Sequence, residues 1–148
     1  MIKIIDRDII LANEQIIAHQ VNCKGVMGSG VAKAIRVAYP EAYDEYKKLC
    51  DSSDNSTDLL SCVQYVAIPR VKKIIANLFA QNEYGKDKRY TDYESLELCF
   101  RALARKSRMP IAMPYGIGCG RGRGDWNGIV YPMIQDIFSR NDVSLYKL

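Results

Sequence analysis

The sequence lacks the features of a membrane protein, a secreted protein or a metal-binding protein. Its apolar runs are all shorter than the roughly 20 residues that a membrane-spanning helix needs. Its five cysteines are widely spaced, odd in number and without a Cys-x-x-Cys pair, which argues against a disulfide framework and a zinc site. The opening MIKIIDRDII is too acidic, and its apolar run too short, for a signal peptide. We therefore expect a soluble, cytoplasmic protein with reduced thiols, no metal ion and no other cofactor.

Internal repeats, heptads and a strong charge of one sign are also missing. The 148 residues carry 21 basic and 17 acidic side chains, a net charge of +4 that is spread along the chain. This excess suits an anionic ligand, but acidic residues interrupt the basic ones downstream, so we do not expect a nucleic-acid partner. The length fits one domain over residues 1–148. Without a heptad seam we expect it to be a monomer.

Short apolar runs alternate with stretches of helical periodicity. Continuous apolar runs predict strands covered on both faces, here residues 2–5, 16–21, 62–68, 74–79, 111–113 and 143–146. Helices are predicted at 31–38, at 40–49, after a capping box of Thr91 and Glu94, and from Trp126 to Ile137, where Pro132 kinks the helix or delays its start. Residues 51–61 are predicted to form a polar loop. The class is α/β in three layers.

Glycine is concentrated at two of the predicted strand-to-helix junctions. Gly25, Gly28 and Gly30 follow the second strand, and five more glycines lie between residues 116 and 124. A backbone without Cβ approaches a ligand closely, and the start of the following helix favours an anion. Neither cluster completes G-x-G-x-x-G, and Val31 replaces the lysine of a P-loop, which argues against a conventional NAD fold or an NTPase. Two such loops at one sheet edge would hold a diphosphate between them.

These segments resemble the two ligand loops of the macro domain family. The resemblance lies in residues 21–32 (VNCKGVMGSGVA) and 114–120 (PYGIGCG), and it extends to residues 6–9 (DRDI) and 145–148 (LYKL). The short first loop is most similar to the branch with the yeast-type ADP-ribose-1″-phosphate phosphatases and the terminal ADP-ribose protein glycohydrolases. The resemblance implies a three-layer α/β/α macro domain with a mixed, largely parallel central sheet. It also implies an ADP-ribose cleft at the strand ends.

Site residues follow from this resemblance position by position. It implies that Asp8 accepts a hydrogen bond from the adenine amino group beside Ile9, and that Asn22 contacts the distal ribose. The remaining ligand contacts that it implies come from the two glycine loops: Met27, Gly28, Ser29, Gly30 and Val31 in the first, and Pro114, Gly116, Ile117, Gly118, Cys119, Gly120 and Arg121 in the second.

The catalytic residues are less clearly marked than the binding loops. His19, the only histidine, matches a histidine of the phosphatase-like branch, but it lies in an apolar strand and is also interpretable as a core histidine. The glycohydrolase branch uses a lysine that forms a covalent sugar adduct and an aspartate in the second loop. Here Gly122 stands at the aspartate position, and Ala80-Gln81-Asn82-Glu83 surrounds the lysine position, with Lys86 nearby. Asp125 either replaces the aspartate or caps the last helix.

Two functions remain as hypotheses. The first is a hydrolase that removes a phosphate or an acyl-linked protein side chain from the distal ribose of ADP-ribose, with Asn22, Asp125 and His19 as candidates for orienting water or acting as base. The second is a non-catalytic module that reads free or protein-attached ADP-ribose. A single-stranded nucleic-acid binder is the weaker third interpretation.

Overall fold

A mixed six-stranded sheet forms the centre of the computed structural model, which describes residues 1–106 and 108–148. Its strands are β1 (Ile2–Ile5), β2 (Ile16–Asn22), β3 (Val63–Ile68), β4 (Lys73–Gln81), β5 (Ile111–Pro114) and β6 (Val143–Tyr146). Their spatial order is β1-β6-β5-β2-β4-β3. Only β3 runs antiparallel to its neighbour. The predicted mixed, largely parallel sheet is confirmed.

Helices cover both faces of this sheet. They are α1 (Gly30–Ala38), α2 (Pro40–Ser52), α3 (Tyr93–Lys106) and α4 (Tyr131–Ile137), with a π-helical turn at Trp126–Val130. Pro132 lies in the first turn of α4, which begins at Tyr131 and not at the predicted Trp126, because the π-helical turn comes first; this agrees with the expected delay. The predicted loop at 51–61 is partly wrong: α2 continues through Ser52, and Ser56–Leu59 forms a 3-10 turn. In the described residues no helix combines the length and apolarity needed to span a membrane.

Alternation along the strands separates the interior into two layers of side chains. Ile17 and Ile75 lie on the face covered by α1 and α2, with Ile35 and Ala42 from those helices. The opposite face carries the larger cluster beneath α3 and α4, which includes Ala18, Ala76, Leu78, Met113, Leu96, Phe100, Ile134 and Phe138. The three-layer α/β/α arrangement is therefore confirmed.

The predicted capping box at the start of α3 is wrong. Asp92 caps the helix instead, because its Oδ1 accepts a hydrogen bond from the Ser95 N–H at 3.0 Å. The Thr91 hydroxyl donates to the carbonyl oxygen of Gly118 at 2.6 Å, 27 residues further along the chain. Thr91 therefore supports the second glycine loop and not the helix.

Candidate functional site

A cleft opens where the connections after two neighbouring parallel strands diverge. The adjacent strands β2 and β5 pair Ile16 with Ile111 and Ile17 with Ala112. The chain after β2 continues into α1 and α2 on one face, whereas the chain after β5 leads to α4 on the other. Such a switch point leaves a crevice at the carboxyl ends of the strands, the usual ligand position in open α/β sheets. The cleft here has a volume of about 490 Å³, within the range of small-molecule sites.

Both glycine-rich loops line this cleft, so the prediction that they converge is confirmed. From the first loop come Gly28, Ser29, Gly30 and Val31 together with Asn22 and Val26, and from the second Pro114, Tyr115, Gly116, Ile117, Gly118, Gly120, Arg121 and Gly122. Met27 and Cys119 are not among the lining residues. The Met27 side chain is buried among Val21, Tyr46 and Phe79, which corrects its predicted place beside the ligand.

The first loop is shaped by the side chain of Asn22. Its Oδ1 accepts hydrogen bonds from the Lys24 N–H at 2.9 Å and the Tyr46 hydroxyl at 2.8 Å, and its Nδ2 donates to the Val26 carbonyl at 2.8 Å. A register shift between Val21 and Asn22 interrupts the strand alternation at this point. His19 and Asn22 therefore both line the cleft, although simple alternation would place them on opposite faces. The expected contact of Asn22 with a ribose, or with water, stays a prediction.

The first loop leads directly into the amino terminus of α1. Ser29 is the N-cap, but its side chain makes no capping hydrogen bond, so it satisfies none of the first N–H groups of the helix. Gly30 has a φ of +60°, and a Cβ there would meet no atom within 4 Å. Backbone N–H groups at a helix start beside open space are suited to binding an anionic group.

A small polar network of Gln20 and Thr91 supports the second glycine loop. Gln20 donates from Nε2 to the Thr91 hydroxyl at 2.9 Å, and that hydroxyl donates to the Gly118 carbonyl. Gly118 has a φ of +76°, which disfavours any side chain. A Cβ at Gly122 would collide with the Thr91 hydroxyl. Any side chain at position 122 would therefore require Thr91 to move.

A third segment, after β4, also lines the cleft; it follows the lysine position of the resemblance, but none of its residues was predicted to contact the ligand. Tyr84, Gly85 and Lys86 contribute to the wall, and the Arg123 guanidinium holds this segment through a 2.7 Å hydrogen bond to the Lys86 carbonyl. The segment has no glycine cluster to mark it. Because β4 runs parallel to β2, the carboxyl ends of both strands lie at the same edge of the sheet. A prediction that these two strands are neighbours would have placed this segment at the cleft.

The residues expected to contact adenine lie outside the main cleft. Asp8 lines a second groove of about 390 Å³ with Ile10, Lys33 and Val37, and Gly30 borders both cavities. One oxygen of the Asp8 carboxylate already accepts the Ile10 N–H at 3.0 Å. Ile9 is buried in the core. The contact of Asp8 with an adenine stays a prediction, now located in an adjoining groove.

The three catalytic candidates occupy different environments. His19 is 1% exposed, and burial lowers the pKa of its ring to about 4. Asp125 is exposed and caps the π-helical turn, since its Oδ1 accepts the Gly128 N–H at 3.0 Å. The capping interpretation of Asp125 is confirmed, and Asp125 does not line the cleft. Of these three residues, His19 and Asn22 line the cleft.

The thiols near the site are protonated at neutral pH. Burial raises the pKa of Cys119 to about 11, and the nearby Asp125 carboxylate adds to the effect. Burial also raises the pKa of Cys23 to about 12. A thiol with so high a pKa is a poor nucleophile. Within residues 1–106 and 108–148, no group of three or more His, Cys, Asp or Glu side chains is arranged to hold a metal ion.

The fold and the cleft define an α/β protein with a cavity of small-molecule size between two glycine loops. The model of the Macro domain family matches residues 18–130, and the chain belongs to this family. It is 26% identical over 138 residues to the DNA ADP-ribosyl glycohydrolase of Mycobacterium tuberculosis, covering 92% of this chain but only 38% of that protein.

Two further relatives extend the comparison. An uncharacterized 17.5 kDa protein from the tk-vs intergenic region of Enterobacteria phage T4 is 33% identical over 134 residues, covering 86% of this chain and 84% of the phage protein. The solved structure of Thermosipho africanus DarTG in complex with ADP-ribose superimposes with a TM-score of 0.83 over 99% of this chain and 41% of that one. At 17% identity, this likeness shows the shared fold.

Proposed function

We propose that this protein binds ADP-ribose in the cleft and hydrolyses a substituent from its distal ribose, either a phosphate or an ADP-ribosyl linkage to an acidic side chain. The observation that carries the proposal is the convergence of residues 28–31 and 116–122, except Cys119, on one cavity beside the start of α1. Backbone N–H groups from two sides suit a diphosphate, and the volume suits a nucleotide-sized ligand. The ADP-ribose complex of a protein with the same fold supports this ligand.

A second candidate function is a reader that binds ADP-ribose without turnover. Two observations favour it: Thr91 fills the space next to Gly122, and the Asp125 carboxylate is engaged in capping. Neither position therefore supplies the carboxylate that the glycohydrolase branch uses. The name of the mycobacterial relative supports hydrolysis, and it also adds ADP-ribosylated DNA to the substrates worth testing.

Calorimetry with ADP-ribose and with AMP tests the binding site. We expect tighter binding of ADP-ribose, and we expect Gly120→Glu to abolish it, because a Cβ at Gly120 points into open space and the carboxylate would repel a diphosphate. Ser139→Glu adds the same charge at an exposed residue that precedes β6, and thus at the opposite sheet edge, and should bind normally. Equal affinity for both ligands, or no binding, would refute the site.

Turnover then separates the two candidate functions. The wild-type protein is incubated with ADP-ribose-1″-phosphate, with an ADP-ribosylated glutamate peptide and with an ADP-ribosylated DNA oligonucleotide. Release of free ADP-ribose from one of these, lost in Gly120→Glu and kept in Ser139→Glu, supports hydrolysis. Tight binding of ADP-ribose without release from any substrate supports the reader.

A further inference from the structure

Three polar side chains form a row across neighbouring strands beneath the cleft. His19 on β2 is paired in register with Asn77 on β4, and Asn77 is paired with Gln64 on β3. Asn77 is fully buried, and His19 is 1% exposed. Buried polar groups need defined hydrogen-bond partners. If the donor and acceptor of one hydrogen bond in this row are known, those of the next bond follow, up to the ring of His19.

The direction is set at the far end of the row by a backbone carbonyl. Gln64 Nε2 donates to the carbonyl oxygen of Glu45 at 3.0 Å, and a carbonyl oxygen only accepts. Gln64 therefore turns its Oε1 towards Asn77, whose Nδ2 donates to it at 3.1 Å. This leaves Asn77 Oδ1 facing His19 Nε2 at 2.7 Å, so Nε2 must carry the proton.

The other ring nitrogen of His19 is left as an acceptor without a protein partner. Nδ1 is buried and makes no hydrogen bond to any residue that the structure describes, although His19 lines the cleft. Since burial lowers the pKa of the ring to about 4, the ring is neutral at pH 7 and Nδ1 keeps its lone pair. An unpartnered buried acceptor destabilises the folded protein, and a ligand hydroxyl group that donates to it would remove this cost.

We propose that Asn77 and Gln64 are positioning residues that hold the proton of His19 on Nε2, so that the bare Nδ1 accepts a hydrogen bond from a hydroxyl group of a sugar bound in the cleft. This inference rests on the proposed function, because it takes the distal ribose of ADP-ribose as that sugar. It assigns the base of the cleft to hydroxyl recognition and the glycine loops to the diphosphate.

Nitrogen NMR tests the proposal directly because His19 is the only histidine in the chain. In untagged protein labelled with 15N-histidine, both ring-nitrogen signals belong to His19. We expect the tautomer protonated at Nε2 in the free protein. ADP-ribose at saturation should shift the Nδ1 signal upfield, as for a nitrogen that accepts a hydrogen bond, while AMP, which has no distal ribose, should leave it unchanged.

A matched pair of variants tests the role of Gln64. Gln64→Glu loses the hydrogen bond to the Glu45 carbonyl. Its carboxylate oxygens can only accept, so they still receive the Asn77 Nδ2–H and the wild-type tautomer should persist. In Gln64→Met the acceptor is gone, the Asn77 amide is free to turn, and both tautomers should appear. A single Nε2-protonated tautomer in both variants would show that Gln64 does not set the proton position, and would overturn that part of the proposal.

His19→Gln tests the acceptor itself. The glutamine amide N–H takes the place of Nε2–H and keeps a donor towards Asn77 Oδ1, while the acceptor at Nδ1 is lost. We expect ADP-ribose to bind about tenfold more weakly, the effect of one hydrogen bond, and AMP to bind unchanged. Urea unfolding of the same variant confirms that it is folded.

The outcomes separate this inference from the proposed function. Protonation at Nδ1 in the free wild-type protein, or an unchanged Nδ1 signal in a fully formed ADP-ribose complex, would overturn the inference and leave ADP-ribose binding intact. Failure of ADP-ribose to bind at all would overturn both. An Nδ1 shift with ADP-ribose and none with AMP would support both.

Discussion

Adding one methyl group at Gly122 should destabilise the protein through the network beneath the second glycine loop. In Gly122→Ala the Cβ would overlap the Thr91 hydroxyl, and it would lie 2.9 Å from the Gly118 carbonyl oxygen and 3.2 Å from Gln20 Nε2. Thr91 would have to move, which breaks its bonds to Gln20 Nε2 and to the Gly118 carbonyl. Each lost bond costs about 1 kcal/mol and overpacking adds a similar amount, so we expect a loss of about 2–4 kcal/mol.

Urea unfolding with a matched glycine measures this loss. Gly120 lies in the same loop, its φ is not positive, and a Cβ there would meet no atom within 4 Å. Gly120→Ala should therefore change the free energy of unfolding by less than about 0.5 kcal/mol. Thr91→Ala combined with Gly122→Ala should cost less than the sum of the two single variants, because both remove the same hydrogen bonds. Equal stability of Gly122→Ala and Gly120→Ala would refute this account of the loop.

Two further predictions concern the ionisable candidates. The pKa of His19 is near 6.5 in the unfolded chain and about 4 in the folded protein, so protons bind preferentially to the unfolded chain. As the pH drops from 6.5 to 4, the free energy of unfolding of wild type should therefore fall relative to that of His19→Gln. The expected loss is up to about 3 kcal/mol. Urea unfolding across this range checks the prediction, and a constant difference between the two proteins would contradict it. Asp125→Ala should cost about 1 kcal/mol in unfolding free energy through loss of its cap and leave ADP-ribose affinity unchanged, since Asp125 does not line the cleft. A weaker affinity in calorimetry would instead give Asp125 a place in the site.

Strand positions could be predicted closely because they depend on local hydrophobic pattern. The predicted bounds 2–5 and 143–146 coincide with β1 and β6, and β4 extends the prediction 74–79 by one residue at its start and two at its end. The extension is paired backbone: Lys73 pairs with Ile68 of β3 and Gln81 with Asn22 of β2. Such pairing is decided by neighbours distant in the chain and leaves little local signal.

Polar side chains were harder to predict because their partners are chosen by the tertiary structure. Thr91 matches the local capping pattern, yet its hydroxyl bonds to Gly118 and Asp92 caps the helix. Lys86 lines the cleft because β4 ends at the edge of the cleft. Nothing in residues 82–92 by itself indicates this position. A single sequence shows which groups are able to bond, and only packing shows which ones meet.

Residue order alone determined the α/β class, the strand and helix positions and the two glycine loops, because each depends on periodicity or on missing side chains within a short segment. The adjacency of β2 and β5 decided that these loops face each other, and this adjacency is a property of the sheet. The same sheet decided that His19, Asn77 and Gln64 form one row with a directed set of hydrogen bonds. Residues separated in the chain by up to 58 positions meet there, and only the folded arrangement could bring a histidine and its amide partner to 2.7 Å.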